Sequence, residues 1–428
     1  MVLVERQPDA GAGDGDDDDD EAFLAQQLEL LAQQQAAEEE EVEPDEPSAL
    51  EYQAACTDLQ CLTRCSQWLR ACNSRAAEVL LNHYGLGKRG AEALARSLVL
   101  NAYITSLDLG DNGLGSEGVA TVLKALRQPD AAPSLKVLSL RQNQAGEDGA
   151  EALRDLLADG AHPLESIDFA CNAIGNQGGE TVAEGLAVNS TLTALCLEHN
   201  EIEEVEKLAG ALKANLSLTA FSLEWNQVGP SSAKFLADAI ADHPTLTSLN
   251  LGWNGLGDAG VKSLATAIEA HGADGSLRDV RLHHNRMTSE AAVPLSRALG
   301  GLDVLDASGN ALGEGGSSVL LMAQQELRLR ATGEDGTPRC RLIMEDVCVR
   351  PDTTLAGLLL RAARGEELAT DEMQRGGVLA AAAPTLAAAA PPGKPTRGGK
   401  KQGKPGDVDW KRNNEPVGQG GKKPSKKK

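Results

Sequence analysis

The chain has 428 residues, a formal net charge of −23 and only 3% aromatic residues. This length exceeds what a single compact core usually requires, and the composition predicts a fold built from small and branched aliphatic residues with many turns. The N-terminal residues "MVLVERQPDA" do not resemble a signal peptide, and no apolar stretch is long enough to span a bilayer. We therefore expect neither a membrane segment nor a membrane partner.

The eight cysteines include no C-x-x-C pair. Zinc sites and thioredoxin-like redox motifs depend on such pairs, so we expect these cysteines to pack as small, reduced side chains. This usage indicates a cytoplasmic protein without a structural metal.

The chain begins with an acidic region, because residues 1–53 contain 18 acidic residues and one basic residue. Residues 1–48 are predicted to be disordered, apart from a short helix within residues 22–43. Residues 49–75 are predicted to form a helical cap for the repeats that follow. The side chains expected to pack on the first repeat are Leu50, Leu59, Leu62, Trp68 and Leu69.

The pattern L-x-x-L-x-L-x-x-N-x-L recurs eight times, from "ITSLDLGDNGL" at Ile104 to "LDVLDASGNAL" at Leu302. The asparagines of the pattern are Asn112, Asn143, Asn172, Asn200, Asn226, Asn254, Asn285 and Asn310. An earlier unit has Tyr84 at the asparagine position, which makes about nine units. The alternating leucines place apolar side chains on one face of a short strand, and stacked units bury one another's apolar faces.

A glycine motif, "GLGSEG" at residues 113–118, fits the G-x-G-x-x-G spacing of dinucleotide-binding loops. The same spacing recurs at residues 85–90 and 255–260. Gly85, Gly113 and Gly255 occupy equivalent positions of the repeat, so we interpret them as the bend between strand and helix rather than as a nucleotide site. We expect no cofactor.

The repeated units resemble the leucine-rich repeat family over about residues 76–330. Units of about 28 residues that each include a full helix resemble the ribonuclease-inhibitor subtype. That subtype also forms the sensor halves of NOD-like receptors, the Ran GTPase-activating protein and certain axonemal subunits. The resemblance implies an α/β solenoid shaped like a horseshoe, with about nine units. Its parallel strands would line the concave face and its helices the convex face.

The residue before each repeat asparagine forms a column on the expected concave face. Four consecutive units place His199, Trp225, Trp253 and His284 in it, a set that we call the aromatic strip. Adjacent strands lie about 4.8 Å apart, so these rings should be continuous neighbours. Tryptophan is enriched at binding hot spots.

We therefore predict that the aromatic strip binds a protein partner. Glu198 and Glu224 flank the strip, and Arg281 lies in a neighbouring column. The two carboxylates are expected to meet a basic group of the partner. Two alternatives remain open: the rings merely cover one another, or the C-terminal segment covers them.

Metal and catalytic sites are not expected. His199, His283 and His284 lack a shared geometry, because side chains of neighbouring residues diverge at a strand end. Asp108, Asp168 and Asp306 come from non-adjacent units and form no close pair. The sequence therefore predicts no metal, no catalytic residue and no small-molecule substrate.

Beyond the repeats, residues 331–375 are predicted to form a C-terminal cap, with a strand at 340–350 and a helix at 353–375. Residues 376–428 are predicted to be a disordered tail rich in Gly, Pro and Lys. Residues 394–428 contain 12 basic and three acidic residues. This excess predicts binding to an acidic polymer, such as tubulin tails or RNA, with a purely solubilising tail as the alternative. The basic residues concerned are Lys400, Lys401, Lys411, Arg412, Lys422, Lys423, Lys426, Lys427 and Lys428.

These features predict a non-enzymatic scaffold for protein–protein interactions. Composition and repeat type also resemble leucine-rich subunits of cilia and flagella, such as those of the dynein regulatory complex, which implies a subunit of the ciliary axoneme. The alternative is a GTPase-activating protein resembling the Ran regulator, with Arg141 as the one early concave arginine. In this chain the acidic stretch precedes the repeats, which departs from that regulator.

Overall fold

The computed structural model describes residues 43–345, except residues 62–63, 161, 242, 273–274 and 331–339. The chain divides into two units, Met1–Ala382 and Ala383–Lys428, and the described residues belong to the first. The predictions for residues 1–42 of the acidic region, with the helix expected at 22–43, for the helix at 353–375 and for the basic tail with its lysines lie outside the described residues. So does Leu62 of the predicted cap. The prediction that residues 1–48 are disordered is wrong at its end, because Pro47 and Ser48 begin the first helix of the structure.

A parallel sheet follows the order of the chain, each strand pairing with the next. Its strands are β1 (Glu78–Leu80), β2 (Ser106–Asp108), β3 (Val137–Ser139), β4 (Ser166–Asp168), β5 (Ala194–Cys196), β6 (Ala220–Ser222), β7 (Ser248–Asn250), β8 (Asp279–Arg281), β9 (Val304–Asp306) and β10 (Arg341–Ile343). The central residue of each strand is buried and pairs with the central residues beside it, as Leu107 does with Leu138. The predicted solenoid is confirmed: nine units supply β1 to β9, and β10 adds a strand within the predicted 340–350.

Helices connect the strands and pack against the face of the sheet that carries the buried central residues. They are α1 (Pro47–Asp58), α2 (Ser66–Asn73), α3 (Gly87–Val99), α4 (Gly115–Leu126), α5 (Gly146–Asp159), α6 (Gly175–Leu186), α7 (Glu206–Ala214), α8 (Pro230–Ile240), α9 (Gly257–His271), α10 (Ser289–Ala298) and α11 (Gly313–Arg330). A 3-10 turn, Leu299–Gly301, follows α10. Each helix packs against its neighbours in the stack, so the core is a continuous apolar layer between strands and helices.

The repeat asparagines form a buried hydrogen-bond ladder across the units. Asn172 is fully buried, and its Oδ1 accepts from the backbone N–H groups of Asn143 (3.0 Å) and Ala145 (3.2 Å) in the preceding unit. Its Nδ2 donates to the carbonyls of Leu140 (3.0 Å) and Phe169 (3.1 Å). The amide thus satisfies backbone groups that the bend leaves unpaired, because unpaired buried groups are costly.

A second ladder, which the sequence reasoning missed, closes the turn between helix and next strand at Asn101, Asn189, Asn215 and His243. Asn189 accepts from the backbone N–H of Leu192 at 2.8 Å and donates to Leu157 O at 2.9 Å. His243 takes the same part with its ring, since Nδ1 accepts from Leu246 N at 3.0 Å and Nε2 lies 3.0 Å from Leu212 O.

The glycines of the motif have two structural roles. Gly113 and Gly115 adopt φ of 60° and 68°, in the left-handed region that glycine tolerates best. At Gly118, a Cβ would lie 3.1 Å from Leu114 Cβ and 3.2 Å from Ala91 Cβ, so glycine permits close helix packing. In the third copy of the motif Gly255 also lies between strand and helix, but there the positive φ, 56°, is found at Gly257 and not at Gly255.

The N-terminal cap is helical and consists of two helices, α1 and α2. α1 and α2 are separated by a bend at Gln60, whose φ is 51°. Trp68 is fully buried, and its Nε1 donates to Ser97 Oγ at 2.8 Å, which ties α2 to the first repeat helix. Leu69 is buried as expected and Leu59 is half-buried, but Leu50 is 52% exposed, because α1 turns Ala49 and Tyr52 inward instead.

Candidate functional site

The column that carries the aromatic strip has left-handed backbone in every unit from the second to the ninth. The φ angles run from 50° at Asp111 to 63° at Gly309 and include 54° at Trp225 and 52° at Trp253. Left-handed backbone is unfavourable for bulky residues. The repeat therefore imposes this conformation, and tryptophan stands there against its local preference.

The rings of the strip stack in the order of the units. Ring centroids of Trp225 and Trp253 are 4.1 Å apart with an interplanar angle of 13°, and those of Trp253 and His284 are 3.7 Å apart at 16°. His199 lies farther from Trp225, at 6.0 Å and 29°. The predicted continuity of the four rings is present in the structure.

The strip is exposed despite this stacking. Trp225 and Trp253 have 47% and 38% of their surface accessible, although both belong to a solenoid whose other large side chains are mostly buried. The helices do not cover the rings. One alternative was that the rings merely cover one another, and they do shield one another in part. The other was that the C-terminal segment covers them, and that segment lies outside the described residues.

Glu224 is held by polar groups of the protein itself. Its Oε2 accepts from Asn250 Nδ2 at 2.6 Å, and its Oε1 lies 3.0 Å from His283 Nε2. His283 Nδ1 lies 3.6 Å from Asp306 Oδ2, so the imidazole stands between two carboxylates. This arrangement requires Gly252, because a Cβ there would overlap the His283 ring.

Sequence reasoning missed the link between Glu224 and His283. The signal available was a glycine between a glutamate and a histidine in the same column of three successive units. Such a gap allows a ring to reach across one strand.

The carboxylate of Glu198 has fewer polar contacts among the described residues than that of Glu224. Its Oε1 accepts a hydrogen bond from Ser222 Oγ at 2.8 Å, and the carboxylate lines an open groove beside the strip. Asp168 lines the same groove and accepts from Ala170 N at 3.0 Å. Burial lowers the pKa of the nearby Arg141 guanidinium, but Cys171, Asp168 and Glu198 raise it. The net effect is a raised pKa.

Arg281 is the predicted site residue that stands apart from the strip. Its guanidinium pairs with Asp279 of the same strand, with Nη2 3.3 Å from Oδ2, and its side chain is 51% exposed. It lines the far part of the groove, next to Asn250.

Burial, reinforced by the charge of Asp168, raises the pKa of the Cys196 thiol in that groove, so this wall is uncharged at neutral pH.

The histidines diverge as expected: the rings of His283 and His284 stand at 84° with centroids 6.0 Å apart. Among the described residues, no group of three His, Cys, Asp or Glu side chains is arranged to hold a metal ion. Within the same part of the chain, no helix combines the length and apolarity needed to cross a membrane.

Comparison with known families agrees with this geometry. The family model described as "Leucine Rich repeat" matches residues 100–123, 160–183 and 242–265, each of which covers a strand together with an adjoining helix or turn. The chain is a leucine-rich repeat protein. Proteins of this family generally mediate protein–protein interactions and are typically non-enzymatic.

Curated relatives match this leucine-rich repeat protein over short stretches. NACHT, LRR and PYD domains-containing protein 12 of Homo sapiens is 27% identical over 120 residues, which are 28% of this chain and 11% of the relative. Leucine-rich repeat-containing protein 45 of Gallus gallus is 34% identical over 125 residues, which are 28% of this chain and 18% of the relative. The chain therefore spans less than a fifth of these relatives.

Among solved structures, the leucine-rich repeat-containing protein LegL7 from Legionella pneumophila is similar to this chain. The TM-score is 0.43 at 18% identity, over 68% of this chain and 92% of LegL7.

Proposed function

We propose that the protein is a non-enzymatic scaffold that binds a partner protein through the aromatic strip. The supporting observation is that two stacked, exposed tryptophans occupy left-handed backbone positions, at Trp225 and Trp253. Stability alone would favour glycine or asparagine there. Residues that break a local rule without a structural gain are expected at functional sites.

The physical basis of binding is the burial of the exposed parts of both indoles. A tryptophan buries up to about 250 Å² on association, and apolar burial contributes about 25 cal/mol per Å². Since the two rings are already half covered, about 2 kcal/mol or more remains to be gained on binding. Their mutual stacking fixes the rings in advance, which lowers the entropic cost of association.

Affinity purification of the wild-type protein against the Trp225→Ala/Trp253→Ala double variant tests this proposal. We expect partner recovery to fall at least tenfold, in line with about 2 kcal/mol or more, while circular dichroism stays unchanged. The matched control is Val188→Ala/Leu216→Ala, which removes two side chains that are 66% and 63% exposed outside the strip. Equal recovery from both double variants would contradict the proposal.

The proposal extends to the setting of the scaffold, in the cytoplasm and as a structural or regulatory subunit of the ciliary axoneme. Its support is the resemblance in composition and repeat type, together with the 12 basic and three acidic residues of 394–428, which would suit an acidic polymer such as tubulin tails or RNA. Co-sedimentation with microtubules at low and physiological salt tests it. Binding should fall steeply with salt, and absence of binding at low salt would count against the axonemal setting.

The GTPase-activator alternative would depend on Arg141. Arg141 is exposed on the strand face, but Asp168 and Glu198 act on its guanidinium and would compete with a phosphate for it. A GTP hydrolysis assay with Ran checks this directly. We expect no acceleration by the protein.

A further inference from the structure

We infer that the partner presents an arginine side chain, which stacks on Trp225 and pairs with Glu198. This inference deepens the proposed function and rests on it. The aromatic strip and the adjoining groove would together recognise this side chain.

The two tryptophans are not equivalent. Trp253 lies between Trp225 at 4.1 Å and His284 at 3.7 Å, so both of its faces are occupied. Trp225 has a close neighbour on one face, and on the other His199 stands 6.0 Å away with a tilt of 29°. Trp225 is also the more exposed of the two, at 47% against 38%. Trp225 therefore offers the open aromatic surface, and Trp253 supports it.

Glu198 is the carboxylate best placed to serve this surface. Its hydrogen bond to Ser222 Oγ directs it toward β6, the strand that leads into Trp225 three residues later. That single hydroxyl leaves most of the lone pairs of the carboxylate unused. Glu224 is not equivalent, because Asn250 and His283 already occupy both of its oxygens.

The charge of the adjoining groove favours a cation. Asp168 at the end of β4 and Glu198 just beyond β5 line it, and its uncharged wall includes Cys196, Ser222 and Asn250. Arg141 acts on the two carboxylates without forming an ion pair with either among the described contacts, so a second guanidinium can still bind Glu198. The nearby Arg281 is committed to Asp279. An acidic ligand would be repelled here.

An arginine fits better than a lysine for geometric reasons. The planar guanidinium stacks on an indole face and donates two parallel hydrogen bonds to a carboxylate, whereas an ammonium does neither. An aromatic face next to a carboxylate matches both functions of one guanidinium.

Selection of random peptides on the full-length protein tests this inference without knowledge of the natural partner. A phage-displayed library of random dodecapeptides is selected on the wild-type protein, and the recovered peptides are measured against variants by fluorescence anisotropy. We expect enriched peptides to share an arginine. Changing that arginine to lysine should weaken binding at least about fivefold, and Glu198→Gln at least about tenfold.

The matched control for charge is Glu201→Gln, since Glu201 is exposed in the same unit on the far side of Asn200. Glu198→Gln keeps an oxygen that can accept from Ser222, so the fold is preserved. Glu201→Gln should leave peptide affinity within about twofold of wild type. Equal losses in the two variants would overturn the pairing with Glu198.

The outcomes separate this inference from the proposed function. Peptides that depend on Trp225 but carry no arginine would overturn the inference and leave the strip as the binding site. Peptides that bind Trp225→Ala as well as wild type, or a failure to select any peptide, would overturn both. A synthetic peptide of residues 394–428 serves as competitor, and its displacing the selected peptides would assign the site to the chain's own tail instead.

Discussion

His283 reaches across one strand to Glu224, with Nε2 3.0 Å from Oε1, and its ring passes over the backbone of Gly252. The contact joins β6 to β8 beside the aromatic strip. It also orients the two histidines of the eighth unit, since His283 meets His284 edge to face. A position without a side chain thus supports the end of the strip.

Substituting Gly252 by alanine should break this contact, because the new Cβ would overlap the imidazole. We expect the free energy of unfolding to fall by about 1–3 kcal/mol, as for other overpacked sites. Urea denaturation measures the change. Gly255→Ala is the matched control, since its added Cβ would meet nothing closer than Val228 O at 3.6 Å.

A double-mutant cycle isolates the cause. In a His283→Ala background, Gly252→Ala should cost much less, because the overlapping ring is gone. An unchanged cost in that background would show that the ring is not what Gly252 accommodates.

Loss of one asparagine of the buried ladder should lower the free energy of unfolding more than Gly252→Ala does. Asn172→Ala would leave the buried N–H groups of Asn143 and Ala145 without a partner, while Leu140 O would keep only its hydrogen bond from Asn143 Nδ2. Each orphaned buried group costs about 1–3 kcal/mol, so we expect a total loss of about 3 kcal/mol or more in urea denaturation. Gln177→Ala, an exposed change in the following helix, should stay within about 0.5 kcal/mol of wild type.

The features that could be predicted from the sequence are those whose surroundings recur in every unit. Leu107 and Asn172 could be placed from sequence because every unit repeats their environment. The order of the strands follows from the same repetition, and so does the contact between Trp225 and Trp253. A property that the repeat conserves can be predicted at every equivalent position once it is known at one.

The features that escaped prediction break that repetition or resemble ordinary turns. The contact of His283 with Glu224 depends on a missing side chain in the unit between them. The second ladder escaped because Asn189 resembles a common turn residue and because His243 replaces asparagine there. The cap bends at Gln60, where neither glycine nor proline marks a break.

A pH dependence of stability follows from His162. The ring is buried, with Nε2 3.2 Å from Ala131 O, and burial lowers the pKa of His162, although hydrogen bonds to Ala131 and Ala132 oppose the shift. The unfolded chain therefore binds this proton more readily than the folded chain does. The stabilisation is present above the ordinary histidine pKa of about 6.5 and is lost as the pH falls below it toward the folded-state value.

We expect the free energy of unfolding to decrease as the pH falls from about 7.5 to about 5.5, and to decrease less in His162→Gln. Glutamine keeps an N–H donor for the Ala131 carbonyl but does not titrate. Urea denaturation at both pH values supplies the measurement. Identical slopes in the two proteins would mean that His162 does not contribute to the pH dependence.

The left-handed backbone at Trp225 gives a prediction that separates stability from binding. Trp225→Gly and Trp225→Ala remove the same indole and the same stacking on Trp253, so they differ only in what the backbone tolerates. With φ at 54°, alanine pays about 1 kcal/mol that glycine does not, and Trp225→Gly should be the more stable variant by that amount. The extended residue Ser222 provides the opposite control, since there glycine should be less stable than alanine by about 0.5–1 kcal/mol. Should Trp225→Ala prove as stable as Trp225→Gly, the tryptophans would stand at no local disadvantage, and their presence would need no functional cause. The ninth unit shows what the backbone alone prefers, since Gly309 occupies the equivalent position there.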